Sequence, residues 1–181
     1  MEAVKRHWRR WSWSIVVGII ALVLNLVVYF VLPKEIIRAI GAYGYAGAFA
    51  VAAIANASII LPIPYYPVIA RLAQVLDVWG VIIAAAAGSS IGESVAFFVG
   101  RAGSGPIQET RISRFMERQM RHPSRAAIVL FAFAAPPNPA FDIAGLIAGA
   151  LDLPFWLFFG SVFLGRIARM SLVAFVGLTI D

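Results

Sequence analysis

The stretch Ala135-Pro136-Pro137-Asn138-Pro139-Ala140-Phe141-Asp142 decides the fold. It stands between two apolar runs, residues 126–134 and 143–151. Each run is about half of the ~20 residues that a helix needs to cross a bilayer. Proline lacks a backbone donor and its ring clashes with the preceding turn, so no continuous helix passes through here. An earlier stretch repeats the pattern, Leu61-Pro62-Ile63-Pro64-Tyr65-Tyr66-Pro67. Laid over one another, the two align Pro62 with Pro137, Pro64 with Pro139, Tyr66 with Phe141, Ala73 with Ala148, Leu76 with Leu151 and Asp77 with Asp152. Similar broken hydrophobic segments in the two halves of a chain are the sequence sign of a transport site. Pro62, Pro64 and Pro67 mark one candidate tip; Pro136, Pro137 and Pro139 mark the other.

Composition agrees. Of 181 residues, 61% are hydrophobic and 13% charged, the balance of an integral membrane protein with no sizeable soluble domain. Without cysteine there are no disulfides or thiolate metal sites. The two histidines, His7 and His122, lie in basic flanks, so neither a zinc site nor a Ser-His-Asp triad has material to build from. No metal, cofactor or catalytic residue is expected, and the chain does not read as an enzyme. The net charge of +6 comes from arginines beside membrane segments. Membrane lipids with anionic headgroups are therefore the expected partner rather than nucleic acid, and the sequence leaves room for a homo-oligomer.

Residues 1–44 read as a basic N-terminus, a first transmembrane helix and an interfacial segment. Lys5, Arg6, Arg9 and Arg10 alternate with Trp8, Trp11 and Trp13, the pattern of a cytoplasmic flank at headgroup depth. Residues 15–32 form an apolar run broken only by Asn25, too long for a signal-peptide core. Residues 34–40 read as a short amphipathic piece at the outer interface. Residues 45–181 form the membrane domain proper. It holds a run at 45–61, the first break, a limb at 68–78 with Arg71, and a spanning run at 80–100 with Glu93. The basic region 101–125 follows, with a helix expected over about 106–120. After the second break come a limb at 143–153 and a last spanning run at 155–180. In the basic helix Ile112, Phe115, Met116 and Met120 share a face, while Arg111, Arg114, Arg118 and Arg121 fall mainly elsewhere. That layout suits a helix on an anionic lipid surface, or a basic helix covering the protein's own base.

Charge fixes the topology. If both broken segments crossed the membrane fully, the arginines of 101–125 would lie outside, against the positive-inside tendency. If each enters and leaves on one side, those arginines lie inside. The expected fold is thus an all-α membrane protein with two re-entrant helical hairpins. Each is followed by a transmembrane helix, as an inverted repeat behind an N-terminal transmembrane helix. The two tips meet near the bilayer midplane, where irregular backbone is tolerated only inside protein or beside a wet cavity.

Several charges sit where they are costly. Glu93, Arg166 and Arg169 lie inside membrane segments, Asp142 beside one, and Arg71 in a limb. Each charge at a helix centre costs ~2.5–3.5 kcal/mol, so each needs a partner or water. Arg166 and Arg169 share a helix face, and either is a candidate to pair with Glu93 across the two halves. Asp142 is a candidate helix cap. Asn138, Asp142, Arg71, Glu93, Arg166 and Arg169 are the candidate substrate-path residues.

From Leu61 onward the chain resembles the DedA superfamily, also called the VTT or SNARE-associated Golgi protein family. Leu61-Pro62-Ile63-Pro64, Gly92 with Gly100-Arg101, residues 138–145, Leu153-Pro154-Phe155-Trp156 and Gly165-Arg166 carry the likeness. The resemblance implies paired re-entrant helices and movement of lipids between leaflets: phospholipid scrambling, or transport of polyprenyl phosphate carriers or phosphatidylethanolamine. Bacterial members often place an acid after the first tip, where this chain has Pro67 and Val68. They also often have arginines flanking the second tip's proline, where it has Phe133 and Pro139. The expected function is lipid translocation in a cell membrane, expected to be a prokaryotic inner membrane, with the N-terminus cytoplasmic. The rival readings are an ion- or proton-coupled small-solute transporter and a non-transporting membrane organiser.

Overall fold

The computed structural model describes residues 20, 23–31, 33–58, 63–103, 111–136 and 141–180. Pro62, Pro137, Asn138 and Pro139 lie outside the described residues, as do the basic N-terminus, much of the 15–32 run and the side chains of Arg111, Ile112 and Asp142. Every described element is helical. Residues 23–31 form α1. Then come α2 (Lys34–Ala42), α3 (Tyr45–Ala57), α4 (Tyr66–Val75), α5 (Val78–Arg101), α6 (Arg111–Met120), α7 (Pro123–Ala134), α8 (Phe141–Ala150) and α9 (Phe155–Thr179).

Among the described residues, two helices are long and apolar enough to cross a bilayer: α5 with 24 residues and α9 with 25. The flanking helices are shorter: α3 has 13 residues, α7 has 12, and α4 and α8 have 10 each. At ~1.5 Å per residue these reach ~15–20 Å, against a ~30 Å hydrocarbon core. The breaks at the two proline stretches are what shorten them. Helices α2 and α3 meet at 108°. Gly44, with φ 57°, makes the turn between them, a conformation that costs glycine little.

Helix α3 packs on α5 and α7 packs on α9, whereas each short limb crosses over: α4 lies mainly on α9 and α8 mainly on α5. The glycines permit this. A Cβ on Gly88 or Gly92 would run into the α3 backbone, and one on Gly165 would lie 2.6 Å from Ala134 Cβ in α7. Gly100 and Gly149 play that part between α5 and α8, and Gly177 between α9 and Ala70 of α4. Gly145, whose Cβ would lie 3.2 Å from Ala96 Cβ, and Gly149 stand four residues apart on α8, a spacing that lets helices cross closely.

Two apolar clusters result. One gathers Ile69, Leu72, Val81 and Ile82 with Met170 and Ala174; the other gathers Phe97, Leu130, Phe141 and Met116 with Phe158 and Val162. Along α5 the chain passes from the first cluster to the second, and along α9 from the second to the first. The two long helices therefore run in opposite senses. Glu93 on α5, and Arg166 with Arg169 on α9, fall between the clusters.

Several boundaries differ from expectation. The first limb ends at Val75, and Asp77 instead caps α5, its Oδ1 accepting from Gly80 N at 2.8 Å. This satisfies one of the free donors at the helix start. Helix α6 is described over Arg111–Met120; the earlier part of the helix expected over about 106–120 lies outside the described residues. Among its described side chains Ser113, Met116 and Met120 are buried, and Phe115 is exposed beside Arg114, Arg118 and Arg121. The two methionines cover the protein's own base, while the outward side mixes one aromatic ring with arginines. Phe141 and Asp142 are already helical in α8, so Asp142 lies within the helix rather than at the residue preceding a helix at 143.

Candidate functional site

Helix α5 is apolar apart from a buried polar strip. Ser90 and Ser94 donate to the carbonyls of Ala86 and Ser90, four residues back. Such bonds let a hydroxyl sit in an apolar helix without an outside partner. Glu93 follows on the same helix and is 3% exposed. A lone carboxylate at that depth would be costly, and the structure gives it a cation. Arg166 Nη2 of α9 donates to Glu93 Oε1, and Arg166 is 1% exposed. The Arg166 guanidinium also lies over the Phe141 ring, 4.8 Å from its centroid, at the start of α8. The pairing expected for Glu93 is with Arg166.

Arg169, 3% exposed, does something else. Its Nε reaches Ala135 O at 3.4 Å, and its Nη2 reaches Phe133 O at 3.4 Å and also donates to Pro136 O. These carbonyls belong to the end of α7 and the start of the second break. A helix C-terminus leaves its last carbonyls without partners and carries about half a negative charge, so a buried guanidinium there is well placed. Arg169 Nη1 also donates to the Tyr66 hydroxyl at 3.2 Å. Tyr66 opens α4, just past the first break, and its ring lies 4.5 Å from that of Tyr65. Both tyrosines lie close to Arg166. One arginine therefore ties the first broken segment to the second, and the other ties α5 to α9.

Arg71 stands apart from this group. Its guanidinium lies 4.2 Å from the Tyr29 ring centroid, and its Nη1 donates to Gln74 Oε1 at 3.3 Å. Gln74 Nε2 in turn donates to the Tyr29 hydroxyl at 3.2 Å and to Gly177 O at 2.9 Å. Gly177 is eight residues beyond Arg169, ~12 Å along the helix axis. This second polar cluster fastens α1 to the α4–α9 packing. Arg101, at the end of α5, makes a third, with Asp152 Oδ1 at 3.2 Å and Leu153 O at 2.7 Å. Asp152 has φ 53°, the left-handed backbone of the α8–α9 turn.

Of the residues singled out from the sequence, Glu93, Arg166 and Arg169 come together, and Arg71 does not join them. Asn138 and the Asp142 side chain lie outside the described residues. Pro64 and Pro67 flank the Tyr65-Tyr66 pair, and Pro136 supplies a carbonyl to Arg169. The tyrosines were missed. Adjacent tyrosines inside a proline-rich break of an otherwise apolar chain were the available signal. No group of three or more metal-binding side chains occurs among the described residues.

Comparison with known proteins agrees with this architecture. The VTT domain model matches residues 63–179, from within the first break through the second break and both long helices. The chain is 28% identical over 125 residues to vacuole membrane protein 1 of Homo sapiens, which covers 58% of this chain and 29% of that protein. It is 28% identical over 108 residues to vacuole membrane protein KMS1 of Arabidopsis thaliana, covering 49% and 24%. A vacuole membrane protein 1 homolog of Dictyostelium discoideum is 51% identical over 37 residues, covering 20% and 9%. The chain spans under a third of the length of these relatives. They are eukaryotic, so they support a membrane protein without singling out the prokaryotic inner membrane expected from the sequence. No solved structure matches. With a match over well more than half its length, on a helical membrane architecture, the chain belongs to the VTT domain family.

Proposed function

We propose that this protein moves phospholipids, or lipids with a similar phosphate headgroup, between the two leaflets of its membrane. The observation that carries this reading is the convergence of both broken segments on one buried charged centre. Tyr66 of the first and the Pro136 carbonyl of the second meet on Arg169, beside the Glu93–Arg166 pair. All of these lie near the middle of the two helices able to span a bilayer.

A headgroup crossing hydrocarbon unaided must leave water for a medium that cannot hydrogen-bond it, a cost of many kcal/mol. A polar centre at mid-depth between short, non-spanning limbs lowers that cost, while the acyl chains remain in lipid. The limbs enter and leave on one side, and the halves are related as an inverted repeat. Three features support that arrangement: the lengths of α3, α4, α7 and α8, the opposite senses of α5 and α9, and the crossed packing of α4 and α8. The arginines of α6 lie on the cytoplasmic side, where Arg114, Phe115, Arg118 and Arg121 face anionic headgroups. The protein performs no covalent chemistry. Translocation of a fluorescent phospholipid in vesicles containing only this protein tests the reading; a non-transporting membrane organiser would leave it at the protein-free rate.

A further inference from the structure

The pairing with Glu93 leaves part of the Arg166 guanidinium unspent. Nη2 is engaged, but Nε and Nη1 are buried and meet no hydrogen-bond acceptor among the described residues. A guanidinium carries five N–H donors in a planar fork that suits an anion with several oxygens. One carboxylate oxygen uses a small part of that capacity.

The charge balance points the same way. Among the described residues the fully buried charged side chains are Arg166, Arg169 and Glu93, two cations against one anion. The carbonyl end of α7 offsets about half a charge at Arg169. Among the described residues the surplus is positive, and it lies beside the hydroxyls of Tyr65 and Tyr66, which add neutral donors. Below the guanidinium is the face of Phe141, which holds a cation without supplying an acceptor. A phosphate, with its several oxygens and its charge, fits this donor set better than a single carboxylate contact does.

We propose that Arg166 is the phosphate-binding residue of the polar centre, and that the Glu93 carboxylate holds its place until a phosphate-bearing ligand exchanges with it. Glu93 is then an internal competitor as well as a counter-ion. The exchange keeps the Arg166 charge paired at both stages. The inference rests on the translocation reading only for the identity of the ligand as a lipid headgroup. A free phosphate shares the chemistry.

The test uses the whole chain purified in detergent, titrated with dihexanoyl phosphatidylglycerol, inorganic phosphate and dihexanoylglycerol, which has the tails but no phosphate. Removing the competitor in Glu93→Gln is expected to tighten phosphatidylglycerol binding by at least about ten-fold, and to leave dihexanoylglycerol unchanged. The double variant Glu93→Gln/Arg166→Gln, which buries no charge at either position, is expected to lose phosphate-dependent binding. Equal tightening for inorganic phosphate assigns the site to the anion alone; tightening for the lipid only assigns it to a headgroup. Should Glu93→Gln not fold, the thermal stabilisation of the wild type by phosphatidylglycerol, absent in the folded double variant, carries the same decision. Unchanged affinity in a folded Glu93→Gln, or full binding by the double variant, overturns the proposal and leaves a purely structural ion pair. Because binding is read without any leaflet crossing, a failure here is separable from a failure of translocation in vesicles.

Discussion

Arg166 of α9 donates to the carboxylate of Glu93 on α5, and both side chains are buried between two apolar clusters. Breaking such a pair from one side leaves a charge without compensation, at ~3–5 kcal/mol, while removing both charges together often costs little. Glu93→Gln alone is therefore expected to destabilise the protein strongly, and Glu93→Gln/Arg166→Gln much less. Unfolding in a denaturing detergent series, read as a double-mutant cycle, checks this; additive losses would mean the pair is not coupled.

The Tyr66 hydroxyl accepts from Arg169 while the same guanidinium holds the carbonyls of the second break. Hydrogen bonds to charged groups contribute ~1.5–3 kcal/mol. Tyr66→Phe is expected to lower stability by about that amount in the wild type and by much less in an Arg169→Gln background. An equal loss in both backgrounds would show that the two residues do not act through each other.

Glycine contacts offer a test with an internal control. A Cβ on Gly149 would collide with the Phe97 carbonyl across the α5–α8 contact, whereas nothing lies within 4 Å of one on Gly160. Overpacking costs ~1–3 kcal/mol, and glycine to alanine in an unobstructed helix gains up to ~1 kcal/mol. Gly149→Ala should lower the melting temperature and Gly160→Ala should hold or raise it. A neutral Gly149→Ala would mean that α5 and α8 do not approach so closely.

Much of the site was legible because it broke a rule. Charges in apolar helices are expensive, so Glu93, Arg166 and Arg169 stood out, and a salt bridge between the halves followed from their signs. Which arginine pairs with Glu93 was not legible, since both lie on one helix face. Their division of labour depends on where the α7 carbonyls end up, and main-chain oxygens have no letter in the sequence. Arg71 looked like a third member for the same reason of cost, but its partners Tyr29 and Gln74 became visible only once α1 packed on α4. Phe115 followed the helical period of its apolar neighbours yet is exposed, while Ser113, Met116 and Met120 are the buried side chains among those described in α6. The crossed packing of α4 and α8 rests on glycine contacts between halves, which no local pattern encodes.

Topology is open to a direct probe. Ser113 is buried and unsuited to labelling, whereas Arg118 is exposed. A cysteine in place of Arg118, in a chain without other cysteines, is expected to react with an impermeant maleimide only from the cytoplasmic side, as the arginine distribution demands. Reaction from the outside would remove the re-entrant arrangement.

The most direct measurement of the account is lipid movement in vesicles that contain this protein alone. Fluorescent phosphatidylglycerol and phosphatidylcholine are placed in both leaflets, and an impermeant quencher reports what reaches the outside. The expected result is protein-dependent loss of the inner-leaflet pool, slowed at least about ten-fold when Arg166 and Glu93 are both neutralised in a variant that still folds. An inner pool as protected as in protein-free vesicles, with the reconstituted protein intact and folded, would contradict it.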